Sequence, residues 1–242
     1  MGPEHSQRLR RQMPSNTLAI VTARNEAQSI AATLAALSRA LPGAALMLAD
    51  DGSGDATAEL ARTAGAQVVA AEDQLGKGAA ASLAAAEALR RLEGHADANN
   101  AIVLLCDGDL GASAAQLAAL VGAVRRDEAD LAIAAFAQRQ GGGFGLALGF
   151  ARWAVRRCCR VRLSAPISGQ RALKADVLRD LLPFADGFGM ELGMTIDALR
   201  GGYRLAEIEL ELSHRATGRT PRGFAHRARQ LRDFVRAYRE RL

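Results

Sequence analysis

Five short apolar runs divide the first 136 residues, and segments of helical spacing fill the gaps between them. The runs are Thr17-Leu18-Ala19-Ile20-Val21-Thr22, Ala45-Leu46-Met47-Leu48-Ala49, Gln67 to Ala71, Ala101-Ile102-Val103-Leu104-Leu105-Cys106, and Asp130 to Phe136. Continuous apolar runs, rather than alternating ones, mark strands of a parallel sheet with helices on both faces. The intervening segments agree with this. Ser29 to Leu41 has helical spacing and stops at Pro42-Gly43, and Ala56 to Ala64 is closed by Gly65. An alanine-rich stretch runs from Gly76 to Leu92, and Ser113 to Arg126 reads as a further helix. The pattern predicts an α/β, Rossmann-like, mainly parallel sheet covered by helices on both faces. A polar tail (1–16) is expected to be disordered, one domain is expected over 17–213, and a basic helical segment over 214–242.

In open α/β sheets, ligands bind beyond the carboxyl ends of the strands. Four polar clusters fall there: Ala23-Arg24-Asn25-Glu26, Asp50-Asp51-Gly52-Ser53-Gly54-Asp55, Gly76-Lys77-Gly78 and Asp107-Gly108-Asp109. Two carboxylates at i and i+2 after a buried strand suit a hard divalent cation shared with a substrate diphosphate. Asp50 and Asp51 fit either an N-cap with an Asx-turn or carboxylates hydrogen-bonding a nucleobase or ribose. The Asp-x-Asp-x-Asp-Gly spacing of an EF-hand is absent. Lys77 lies between glycines that let the backbone approach an anion, at the start of a helix whose N-terminus favours negative charge. It is not part of a Walker loop, because no Gly-x-x-x-x-Gly-Lys-Ser/Thr precedes it. Glu26 on its own reads as a first-turn helix acid.

Bulk properties narrow the setting. The chain is 49% hydrophobic, enough for a sizeable core, yet no run of about 18 apolar residues suggests a membrane-spanning helix. Met1 to Asn16 is polar and Arg-rich and lacks the apolar centre of a secretory signal. Cys106, Cys158 and Cys159 form neither an even disulfide framework nor a Cys-x-x-Cys pair, which points to a reducing cytoplasm. The formal net charge is +5; nine Arg against two acids from His214 to Leu242 put +7 on that segment and −2 on the rest. Such a segment suits anionic lipid, phosphate or nucleic acid. Base-stacking aromatics are sparse, so nucleic acid is not expected.

Two segments raise membrane contact. Gly141-Gly142-Gly143 introduces Phe144 to Val155, which holds the single Trp, and Arg156, Arg157, Arg160 and Arg162 follow. This fits an interfacial helix, or a core helix with solvated arginines. Phe224, Ala228, Leu231, Phe234, Val235 and Tyr238 recur at helical spacing among arginines. A peripheral contact with the inner membrane face is therefore expected.

The order and spacing of the four clusters resemble the family 2 glycosyltransferases of GT-A fold. Ser168-Gly169-Gln170-Arg171-Ala172 and Gly187-Phe188-Gly189-Met190-Glu191 are similar to the branch containing dolichyl- and polyprenyl-phosphate sugar transferases. The resemblance spans Thr17 to Arg222. It implies a metal-dependent transferase that moves a hexose from a UDP- or GDP-sugar to a polyprenyl phosphate or other membrane-associated acceptor, using Mg²⁺ or Mn²⁺. It implies that Glu26 and Asp50, with Ala23, Asn25 and Asp51, bind the nucleoside. Lys77 would lie near the base or phosphates. Asp107 and Gly108 would face the ribose and metal, and Asp109 would be the principal metal ligand. Ser168, Gly169, Gln170 and Arg171 would line the acceptor. Glu191 would act as general base, or would only position an acceptor that is already anionic.

One departure stands out. Relatives often carry a polar residue two positions after the second Asp, where this chain has Gly111. His214, in Ser213-His214-Arg215-Ala216-Thr217-Gly218-Arg219, is expected to supply a third ligand, in an arrangement similar to that of glucosyl-3-phosphoglycerate synthases. Arg215 and Arg219 would pair with the diphosphate. Two alternatives accompany this reading: a retaining transferase with a soluble acceptor such as 3-phosphoglycerate, and a non-catalytic basic adaptor for membrane or nucleic acid. The retained Asp107, Asp109, Lys77 and Glu191 weigh against the adaptor. A homo-oligomer is compatible with the chain.

Overall fold

The computed structural model describes residues 16–71, 73–93, 98–136, 145–212 and 221–242. Strands β1 (Thr17–Ala23), β2 (Ala45–Asp50), β3 (Gln67–Ala70) and β4 (Ile102–Asp107) are all parallel. They are linked by helices α1 (Ile30–Ala40), α2 (Thr57–Thr63) and α3 (Lys77–Leu92). After β4 come α4 (Ala118–Arg125), β5 (Leu131–Phe136), α5 (Gly145–Cys159), β6 (Arg171–Lys174), α6 (Ala175–Asp180), α7 (Gly189–Arg200), β7 (Leu205–Leu210) and α8 (Pro221–Arg239). The strands form one sheet in the order β3-β2-β1-β4-β6-β5-β7. Only β6 runs against its neighbours, antiparallel to both β4 and β5.

Both faces of the sheet are covered, as the continuous apolar runs predict. Along β1, Ala19 and Val21 enter one core with Leu34, Leu37, Leu104 and Leu120. Leu18 and Ile20 enter the other with Ala81, Ala84, Val103 and Leu178. Ala81, Ala84, Ala85 and Ala88 form a buried stripe on α3 at helical spacing. Their small side chains let that helix lie close to the sheet, and each fully buried Leu opposite contributes about 1.5–3 kcal/mol.

The helix expected over Ser113 to Arg126 is instead a 3₁₀ turn, Gly111–Leu117, followed by α4. Its entry is tied down by Thr33, whose hydroxyl donates to the Gly108 carbonyl and accepts from the Gly111 N–H, both at 2.9 Å. Gly111 takes φ +54°, and this turn carries the chain out of the strand.

The two helices read as membrane candidates are packed into the domain. Ala147, Ala151, Ala154 and Val155 of α5 share a core with Leu192 and Ile196 of α7 and Phe234 of α8. Tyr238 lies with its ring centroid 5.2 Å from that of Trp153 and 5.9 Å from that of Phe150. Arg241 clamps Asp197 of α7 at 2.6 Å, and Asp233 accepts the Phe188 N–H at 3.3 Å. Residues 229–242 are therefore a brace for α7, with Phe234 and Ala237 buried and Tyr238 packed beside them. What remains open on α5 is Leu146, 84% exposed, and Trp153, 52% exposed. No described helix is long and apolar enough to cross a membrane. The expected disordered tail, apart from Asn16, lies outside the described residues, as does Gly141 to Phe144.

Candidate functional site

The expected donor-binding loops after β1 and β2 form one stitched unit. Asn25, in the left-handed region at φ +57°, donates its N–H to Ser53 Oγ at 3.0 Å and accepts the Gly54 N–H at 2.8 Å. Asp55 accepts from Ala27 on one side and Thr57 on the other. The Glu26 N–H donates to Thr57 Oγ1 at 2.8 Å, and the Glu26 carboxylate accepts from Ser29. Ala23 closes β1 with its side chain buried. Asp50 accepts from the N–H and hydroxyl of Ser53 in an Asx-type turn. Asp51 reaches further and accepts the Gly76 N–H at 2.7 Å, which fixes the entry to α3. Both aspartates are buried, so their role in this structure is to shape the strand-end loops.

Asp107 is the hub of the site. Its Oδ1 accepts from Lys77 Nζ at 2.6 Å and Thr22 Oγ1 at 3.2 Å, and its Oδ2 accepts from Gln170 Nε2 at 3.0 Å. Lys77 also donates to Glu191 Oε1 at 2.7 Å, so one ammonium bridges two carboxylates from different elements. Burial alone would push the lysine pKa down. The contacts with Asp107 and Glu191 outweigh it and hold the pKa well above the ordinary lysine value. Lys77 therefore stays charged at any physiological pH. Glu191, in the first turn of α7, is 5% exposed. Asp109 is half-buried two residues past the hub, and Gly108 between them donates its N–H to the Thr22 carbonyl at 2.9 Å.

Two glycines permit this crowding. A Cβ on Gly169 would lie 2.8 Å from Asp107 Oδ2 and 3.0 Å from Lys77 Nζ. A Cβ on Gly78 would lie 2.0 Å from the Ala185 carbonyl oxygen, so α3 packs directly on the strand-free loop that leads into α7.

The segment expected to line the acceptor divides in two. Gly169 and Gln170 reach Asp107 because β6 is antiparallel to β4 and so begins at the ligand edge. Arg171 does not fit an acceptor role, since it is wholly buried. Its guanidinium donates to the carbonyls of Ser168 and Pro166 and to Thr195 Oγ1, at 2.8–3.0 Å. Burial pushes its pKa down to about 10, which leaves it charged. Ser168 is also buried, and its hydroxyl accepts from the Gln170 N–H within the same turn. These two residues hold the loop that presents Gln170.

Gln170 is 1% exposed, and its Oε1 has no hydrogen-bond partner among the described residues. A buried amide oxygen on a side chain that touches Asp107 is a hard donor of the kind Mg²⁺ and Mn²⁺ accept. No group of three or more His, Cys, Asp or Glu able to hold a metal occurs among the described residues. His214, Arg215 and Arg219, expected to complete the site, lie outside them. Thr22 is a site residue that motif reading passes over; the available signal is a hydroxyl in the last turn of an otherwise apolar strand.

Comparisons with known proteins bear on the family and the fold. The family model described as glycosyl transferase family 2 matches residues 18–158, more than half of the chain. No curated protein matches. Among solved structures, the Mycobacterium tuberculosis glucosyl-3-phosphoglycerate synthase with Mn²⁺, UDP-glucose and phosphoglyceric acid is 25% identical, with a TM-score of 0.72 over 93% of this chain and 79% of that one. The same synthase with Mn²⁺, UDP-glucose and glycerol 3-phosphate is 25% identical, with a TM-score of 0.68 over 91% and 79%. Its complex with Mg²⁺ and UDP is 24% identical, with a TM-score of 0.69 over 91% and 78%.

Proposed function

The chain belongs to glycosyl transferase family 2, and from that premise we propose that it moves a hexose from a UDP-sugar, with Mn²⁺ or Mg²⁺, to a small phosphorylated acceptor. The observation that carries this reading is the meeting of Asp107, Asp109 and Lys77 on the ligand edge of a GT-A sheet. A nucleoside diphosphate needs cationic charge and N–H donors, and the N-terminus of α3 with Lys77 offers both. Asp109, Asp107 and the Gln170 amide oxygen would hold the metal. When bound, the metal neutralises charge developing on the leaving diphosphate. The loops stitched through Asn25, Glu26, Asp50 and Asp51 form the nucleoside end of the pocket. Glu191 positions Lys77, and Ser168 and Arg171 position the Gln170 loop.

A soluble acceptor is favoured because Ala147, Ala151, Ala154 and Val155 of α5 and Phe234 of α8 pack inward with α7. The structurally similar synthase is seen with phosphoglyceric acid and with glycerol 3-phosphate, both small phosphate esters. The second reading, a polyprenyl phosphate at the inner membrane face, is supported by exposed Leu146 and Trp153 on a helix with Arg156 and Arg157 in its last turn and Arg160 just beyond.

The test is a screen of UDP- and GDP-sugars with and without Mn²⁺, read as protection against thermal unfolding. A cognate donor at 100 times its Kd stabilises by about 2.7 kcal/mol. A response to UDP-sugars with metal is expected, and silence towards every nucleotide overturns the proposal. Product formation with 3-phosphoglycerate, compared with a polyprenyl phosphate in vesicles, then separates the two acceptors.

A further inference from the structure

Lys77 sits where a divalent metal would have to compete with it. Its ammonium touches Asp107 Oδ1 at 2.6 Å, and Thr22 shares that oxygen at 3.2 Å. The other carboxylate oxygen receives Gln170. A cation in contact with a carboxylate cancels the charge that would attract a second cation and repels a dication brought to the same group. Lys77 also has a second anchor, Glu191 at 2.7 Å, on a separate helix. It stands at the first position of α3, where an incoming diphosphate would meet the helix N-terminus. A lysine head on a flexible four-carbon stem can turn from one anion to another without moving its backbone. Because Glu191 keeps its hold, the ammonium is never left buried without a counter-charge.

We propose that Lys77 and the metal are alternative counter-ions of Asp107, exchanged when the donor's diphosphate draws Lys77 away. This rests on the donor reading above and adds an order to it. Without nucleotide, the two aspartates are a poor metal site. With it, Lys77 moves to the phosphates and the metal takes its place. Linkage requires the converse as well: metal and nucleotide strengthen each other's binding by the same factor.

The experiment measures Mn²⁺ binding by calorimetry and by the electron paramagnetic resonance of free Mn²⁺, so activity is not the readout. For the wild-type chain, UDP is expected to tighten Mn²⁺ by about 5–150-fold, and UMP, which lacks the second phosphate, by far less. For Lys77→Met, and for Lys77→Gln as a second variant, Mn²⁺ alone is expected to bind at least about tenfold tighter than to the wild type. Adding Asp109→Asn to either variant removes that gain. Circular dichroism confirms that each variant is folded. The proposal is overturned if folded Lys77 variants bind Mn²⁺ alone no better than the wild type, or if their gain survives Asp109→Asn. Should neither variant fold, wild-type Mn²⁺ affinity unchanged by UDP overturns it. The nucleotide-free arms do not depend on the donor, so failure of the donor screen and failure of the exchange are separate results.

Discussion

The two halves of the sheet reach the site by opposite routes. In the first half, β1, β2 and β4 all run towards the ligand edge, and each delivers its polar residues at its carboxyl end. In the second half, β6 runs the other way, so its residues arrive at its amino end, beside Asp107. The first half supplies Asp107, Asp109 and Lys77, which carry charge into a half-open pocket. The second supplies Gln170, Arg171 and Glu191, each 5% exposed or less, held by carbonyls and by α7. The division teaches that, Gln170 apart, the groups proposed to meet donor and metal come from the first half and their support from the second. A substitution in the first half should change function, and one at Arg171 should first change stability.

The largest effect is expected from the first half. Asp109→Ala should lower sugar transfer by about 10²–10³-fold, roughly 3–4 kcal/mol of transition-state stabilisation. It should leave the melting temperature of the nucleotide-free protein nearly unchanged. Transfer rates together with calorimetry check this, and a large drop in melting temperature would blur the division. The second-half counterpart is Arg171→Met. It strands the carbonyl of Ser168, takes one of two donors from that of Pro166, and should cost about 3 kcal/mol in urea unfolding. Unchanged stability with lost transfer would instead give Arg171 a direct part in the reaction.

The smallest effect is a dependence on pH. Hydrogen bonds from Arg204, joined by Lys174, hold the Asp130 carboxyl well below its usual range despite partial burial. A depressed folded-state pKa contributes stability above the unfolded value of about 4, and that stability is lost as the pH falls below it. Asp130→Asn should therefore flatten the decline in stability from about pH 4 downwards, on past about pH 3, by no more than about 1 kcal/mol. An equally steep decline in the variant would assign the acid sensitivity elsewhere.

What could be read in the chain follows the same divide. The four strand-end clusters up to Asp109 are legible because each parallel strand, its turn and its helix are consecutive in sequence. The contacts that give Asp107 its character are not local: Lys77 lies 30 residues away, Gln170 63 and Thr22 85. No spacing rule predicts that three donors converge on one carboxylate. Arg171 reads as a ligand-binding cation because full burial of an arginine is rare, and only the antiparallel placement of β6 explains it. The amphipathic pattern of α5 and α8 was visible, but Ala151, Ala154 and Val155 of α5 and Phe234 of α8 pack with α7, and a one-dimensional pattern cannot distinguish such packing from a lipid surface.

The contact at Gly78 has a mechanical consequence. With no side chain between α3 and the Ala185 carbonyl, the two segments meet backbone to backbone. Such a joint cannot slide without breaking van der Waals contact, so the base of Lys77 and the root of Glu191 form a single rigid corner.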